Sequence, residues 1–166
     1  MNDLLLQWGL VSFMIGVVLS LPLAAVYYDQ SPPWTKIFSN PRKLKSAHLD
    51  FFMQAFGAGL VYLLAYAAGF TLPLWIITPM IFGMMGNPLI LLLESTALFR
   101  VGRMSVFYKM LKGTSPVSLL FAWIMIAGNL LPAMLLVFLS TFVLVGVFIV
   151  WRYHSKARTQ RILNQG

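Results

Sequence analysis

The stretch Asn40-Pro-Arg-Lys-Leu-Lys-Ser-Ala-His-Leu-Asp-Phe-Phe-Met-Gln54 opens on the cations Arg42, Lys43 and Lys45 and then turns apolar. It continues through Ala55 to Phe70 without a charged residue. A basic segment running into such a stretch marks the passage from head groups into hydrocarbon, because a bilayer core of ~30 Å takes ~20 apolar residues of helix. The same criterion predicts spans near 4–28, 47–70, 74–99 and 130–151. The expected fold is therefore an all-α integral membrane protein. A four-transmembrane-helix bundle would form one transmembrane domain over 1–166.

Composition agrees with that reading. Of the 166 residues 60% are hydrophobic and 10% charged, against ~25% charged in ordinary soluble domains, and the mean hydropathy is +0.83. The first apolar run is too long for the core of a signal peptide and no Lys or Arg precedes it, so a retained helix is expected. With no Cys, disulfides, thiolate nucleophiles and iron–sulfur ligation are excluded. The formal charge of +8 sits beside apolar runs, so anionic lipid head groups, and no nucleic acid, are the expected partners. Eight of the 12 Lys and Arg fall in the first and third loops, which the positive-inside rule assigns to the cytoplasm. The expected location is a bacterial inner membrane.

Local signals refine the spans. Ser46 is a plausible cap for the second helix. Pro79, Gly83, Gly86, Asn87 and Pro88 predict a kink or close helix contact in the third. Gly113 to Pro116 reads as a stop. Asn129 and Pro132 divide the apolar run from Val117 to Trp151, so that Ser118 to Gly128 forms a short interfacial helix before the fourth span, or joins it as one bent helix.

Polar groups within spans cost ~2.5–3.5 kcal/mol for Asp, Lys or Arg near the centre, and so require a reason. The candidates are His48, Asp50, Gln54, Asn87, Glu94 and Asn129. At 100° per residue, His48, Phe52, Ala55, Gly59, Tyr62 and Tyr66 share a stripe. Such a face can pack against another helix through its small residues, or can accept a planar group hung from the imidazole, with His48 as a haem ligand. Asp50 and Gln54, four apart, lie on another stripe roughly 120° away and can hydrogen-bond each other. Asp50 then acts as a helix-start carboxylate, or orients Gln54 toward a substrate. Asn87 and Glu94 align on the third helix, Glu94 near Arg100 at its end. His154 reads as solvated, and Met80, Met84 and Met85 as gap-filling or lipid-facing side chains. No nucleophile elbow or His-Glu-x-x-His spacing occurs.

The segment Asn40-Pro-Arg, then Ser46-Ala-His-Leu-Asp50 and Gln54, entering the second of four spans, resembles the styrene oxide isomerase and hydroxylaminobenzene mutase family. The resemblance implies a homotrimer with haem b at subunit interfaces, bound through His48 and lined by Phe52, Ala55 and Gly59. Ferric iron would serve as a Lewis acid on a small hydrophobic epoxide, giving an aldehyde, or on an aryl hydroxylamine. Gln54, standing where the family carries Asn, and Asn87 are the implied catalytic amides. Leu91 stands where the isomerases carry Tyr. The alternative is a non-catalytic membrane protein: a haem sensor or carrier, a small transporter or an assembly subunit.

Overall fold

The computed structural model describes residues 2–29, 32–96 and 102–163. Among them every regular element is helical: α1 (Asn2–Ala24), α2 (Pro32–Ile37), α3 (Pro41–Ala67), α4 (Leu74–Ser95), α5 (Gly102–Leu130) and α6 (Ala133–Leu163). The end of the span expected over 74–99, and Arg100, lie outside the described residues. Among the described residues four helices are long and apolar enough to cross a bilayer, namely α1 with its π-helical extension Ala25–Asp29, α3, α4 and α5. The chain is an all-α integral membrane protein of four such helices.

Two compact units divide it, Met1–Ile126 and Ala127–Gly166. The first is built on α1 and α3, which lie antiparallel. Leu5, Gly9, Ser12, Gly16 and Leu19 of α1 are buried at alternating steps of four and three, and one face of α3 is buried through Leu44, Ala47, Phe51, Ala58, Val61 and Ala65. That spacing keeps one seam in contact along two helices. Small residues set its closeness: a Cβ on Gly9 would meet Ala58 Cβ at 3.1 Å. The buried Ser12 hydroxyl donates to the Phe51 carbonyl at 2.8 Å, a bond well suited to a medium without water.

α3 starts earlier than Ser46. Asn40 caps it, its side-chain oxygen accepting from the Lys43 amide at 3.3 Å, with Pro41 in the first helical position. Ser46 already lies inside the helix and donates to the Arg42 carbonyl at 3.0 Å. At the other end the Phe70 amide bonds Ala65 O and the Gly69 amide bonds Tyr66 O. This closure needs the left-handed backbone of Gly69, whose φ is 62°. Asn2 then braces the α3–α4 turn, donating to Phe70 O at 2.9 Å and accepting from the Leu72 amide at 3.0 Å.

α5 differs most from the sequence expectation. Gly113 to Pro116 do not stop it, and the interfacial helix expected over Ser118–Gly128 is part of this one continuous helix. The cause is packing against α4. A Cβ on Gly83 would come within 2.8 Å of Leu119 Cα. Ser118 donates to Pro79 O at 2.8 Å, and the single proton of Ser115, fully buried, is shared between Gly83 O at 3.2 Å and Asn87 Oδ1 at 2.9 Å. These contacts hold a helix that local propensity alone would break. Met80 and Met84 are buried fillers of the unit.

The second unit contains the end of α5 and α6. The break falls at Leu131–Pro132, and α6 opens with the apolar stretch Ala133–Ile149. His154 belongs to α6, and its side chain lies outside the described residues.

Candidate functional site

His48 lies on α3 one position beyond the buried Ala47, so its ring emerges at the edge of the α1–α3 seam, half-buried. Its Nδ1 is 2.8 Å from the carbonyl oxygen of Gly16. A carbonyl only accepts, so Nδ1 carries the proton in this bond. The neutral imidazole then keeps its lone pair on Nε2. Phe52, one turn on, meets the imidazole edge-to-face at 4.9 Å between centroids, and Phe13 of α1 meets Phe52 at 5.1 Å. Gly16 makes room for both. A Cβ there would lie 3.1–3.2 Å from the Phe52 ring.

The stripe divides below Phe52. Ala55 remains beside α1, its carbonyl 3.5 Å from where a Gly9 Cβ would stand, whereas a Cβ on Gly59 would meet nothing within 4 Å. Glycine inside a helix costs about 1 kcal/mol relative to alanine. Among the described residues no close helix approach at Gly59 offsets that cost.

On the other side of His48, one turn toward the basic end, Ser20, Leu23, Ala24, Tyr27, Tyr28 and Lys45 line a cavity of about 430 Å³. Lys45 precedes His48 by three residues and Ser20 follows Gly16 by four, so the cavity adjoins the His48–Gly16 bond along antiparallel helices. It offers one ammonium and three hydroxyls above an apolar floor.

Asp50 and Gln54 are joined as expected, Gln54 Nε2 donating to Asp50 Oδ1 at 3.2 Å, both half-buried. They occupy the flank of α3 opposite His48, the side on which Trp123 of α5 covers Gly57, 3.2 Å from where a Cβ would stand. Asn87 is elsewhere again, on the α4–α5 seam, where its Oδ1 accepts from Ser115 at 2.9 Å. Within one chain the structure brings His48 together with Phe52, Gly16 and the Lys45 cavity. It does not bring His48 together with Gln54 or Asn87.

Glu94 has partners the sequence does not single out. Lys43 of α3 reaches Glu94 Oε2 at 2.5 Å, Tyr108 of α5 donates to Oε1 at 2.6 Å, and Lys112 donates to the Tyr108 hydroxyl at 3.0 Å. Beside this node the Asn40 amide bonds Ser95 O at 3.0 Å. One carboxylate thus ties three helices at the basic end. Tyr108 and Ser115 escaped the sequence reading because each lies in a region taken for loop, and only the helical spacing of α5 aligns them with Glu94 and Asn87.

Among the described residues no three or more His, Cys, Asp or Glu gather where they could hold a metal ion. The chain matches no family model, no curated protein and no solved structure with which it was compared.

Proposed function

We propose that this protein binds haem b through His48 Nε2 and acts as a membrane isomerase or mutase on a small hydrophobic epoxide or aryl hydroxylamine. The observation that carries the reading is the Nδ1 bond to Gly16 O. A backbone acceptor on one ring nitrogen orients the other as a ligand and raises its basicity, the arrangement typical of metal-bound histidine. Two further features support it. The Lys45 cavity supplies a cation and hydroxyls for carboxylates such as haem propionates at head-group depth. Gly59 leaves room beside α3, since a Cβ there would meet nothing within 4 Å among the described residues.

Haem iron, when ferric, supplies a Lewis acid that polarises a C–O or N–O bond. The chain's own residues do the rest. His48 holds the group, Gly16 O orients the ring, and Phe52 keeps water from the imidazole. Gln54, steadied by Asp50, orients the substrate oxygen from a neighbouring protomer, since the two flanks of α3 face apart within one chain. A homotrimer with interfacial sites satisfies that geometry. The membrane is a bacterial inner membrane, with the α2 segment and the start of α5 facing the cytoplasm.

One observation favours a second reading, a haem sensor or carrier. Asn87, an expected catalytic amide, is engaged by Ser115 in a structural seam. Turnover separates the two. Ferric protein in detergent, given a panel of aryl and alkyl epoxides and aryl hydroxylamines, is expected to form aldehyde or rearranged product and to slow on reduction. Bound haem without product from any member of the panel would establish the carrier reading.

A further inference from the structure

Among the described residues of its own unit the apolar stretch Ala133–Ile149 of α6 meets no partner face: every residue of it is exposed except the half-buried Leu136. It is apolar all round, and its Thr141 hydroxyl is satisfied internally by Val137 O at 2.8 Å. A helix of that kind is stable only inside a bilayer or a protein core. A helix lying in the membrane plane needs a charged or polar face, which this stretch lacks. Its seventeen residues, followed by Val150 and Trp151, meet the lower end of the ~17–25 that span a bilayer. Trp151 stands where an interfacial aromatic ring belongs.

Charge decides which way it runs. α5 begins among Arg103, Lys109 and Lys112, and no charged residue then occurs from Gly113 to Trp151. A chain that crosses along α5 therefore leaves the bilayer at Leu131–Pro132, on the face opposite those cations. We infer that α6 is a fifth crossing, with the lipid bilayer as its partner. It returns the chain to the starting face and brings Arg152, Lys156, Arg158 and Arg161 to the side that holds the other eight Lys and Arg. All 12 cations of the chain then meet one leaflet, and the opposite face carries only the first residues of α1, the Ala68–Pro73 turn and the Leu131–Pro132 break. Four crossings would instead split the cations eight to four and leave an apolar sleeve without a solvent that suits it. The anionic surface of one leaflet attracts juxtamembrane Lys and Arg, which favours the one-sided arrangement.

The absence of Cys makes the test direct. Single-cysteine variants Thr35→Cys, Thr71→Cys, Leu131→Cys and Thr159→Cys are treated with a membrane-impermeant maleimide in sealed cells and again after lysis. Thr35→Cys and Thr159→Cys are expected to behave alike, Thr71→Cys and Leu131→Cys to behave alike, and one pair to label at least ~10-fold less than the other until lysis. Thr159→Cys labelling together with Thr71→Cys, or Leu131→Cys together with Thr35→Cys, would overturn the fifth crossing. Ser39→Cys and Gln160→Cys repeat the readings where a first variant fails to accumulate.

Discussion

The Nδ1 atom of His48 lies 2.8 Å from the carbonyl oxygen of Gly16, thirty-two residues earlier in the chain. The bond fixes the orientation of an imidazole at the edge of the α1–α3 seam and assigns its proton. It also makes the ring's geometry depend on a glycine. A side chain at residue 16 would press on Phe52, which rests against His48.

Gly16 variants should therefore grade with size. In Gly16→Ala the added Cβ stands 3.1–3.2 Å from the Phe52 ring, and a small tilt of that ring accommodates it, so a loss of no more than about 1 kcal/mol is expected. Gly16→Leu should cost about 1–3 kcal/mol through overpacking, and should weaken haem retention through the displaced His48. Thermal unfolding in detergent and haem titration read the two effects. Equal behaviour of both variants would count against this packing.

Gly83 and Gly59 should differ sharply although both are helical glycines. A Cβ at Gly83 would stand within 2.8 Å of the Leu119 backbone, where nothing flexible can give way. Gly83→Ala is expected to lower stability by about 1–3 kcal/mol. Gly59→Ala, with open space around it, should be neutral or stabilise the monomeric fold by up to about 1 kcal/mol. Gly59→Leu should likewise leave the fold intact while reducing haem binding or oligomer formation, measured by absorbance and by native mass in detergent.

Glu94 is expected to matter for assembly rather than chemistry. Its carboxylate receives Lys43 and Tyr108 from the two flanking helices. The Lys43 and Lys112 side chains are 41% and 61% exposed, which discounts the ion pairs, whereas a hydrogen bond to a charged group is worth about 1.5–3 kcal/mol. Glu94→Gln should cost about 1–2 kcal/mol in thermal unfolding, and Tyr108→Phe a similar amount. A double variant no worse than either single one would show that both remove the same interaction.

Asn87 and Gln54 make a paired prediction. Because Ser115 engages Asn87 in a buried seam, Asn87→Leu should lower stability by about 1–3 kcal/mol. Gln54 bonds along its own helix to Asp50. Gln54→Leu should preserve the fold and the haem spectrum and reduce turnover. Loss of haem in Gln54→Leu would assign that residue a structural part instead.

The spans of the first half were legible because charge switches off abruptly after Asp50 and turn residues cluster near Gly69 to Pro73. The faces were less so. Lipid and protein core are both apolar, so hydropathy cannot say that Ala47, Phe51 and Ala58 face inward while Leu49 and Met53 face out. The information lies in Gly9, Ser12 and Gly16, whose alternating spacing marks the seam on α1. The polar pair Asp50–Gln54 followed from helical spacing alone. The engagement of His48 by Gly16 O did not, since a backbone acceptor leaves no trace in residue type. The continuity of α5 through Gly113 to Pro116 is not legible in the sequence, because it rests on tertiary contacts to Gly83 and Pro79.

The proposed role of His48 as a haem ligand is open to a direct spectroscopic test. Protein purified in detergent from cells with confirmed haem supply should show a Soret absorption band. That band should vanish in His48→Ala, while the variant retains the helical content and unfolding temperature of the parent. A colourless parent preparation, or a Soret band unchanged in His48→Ala, would contradict it.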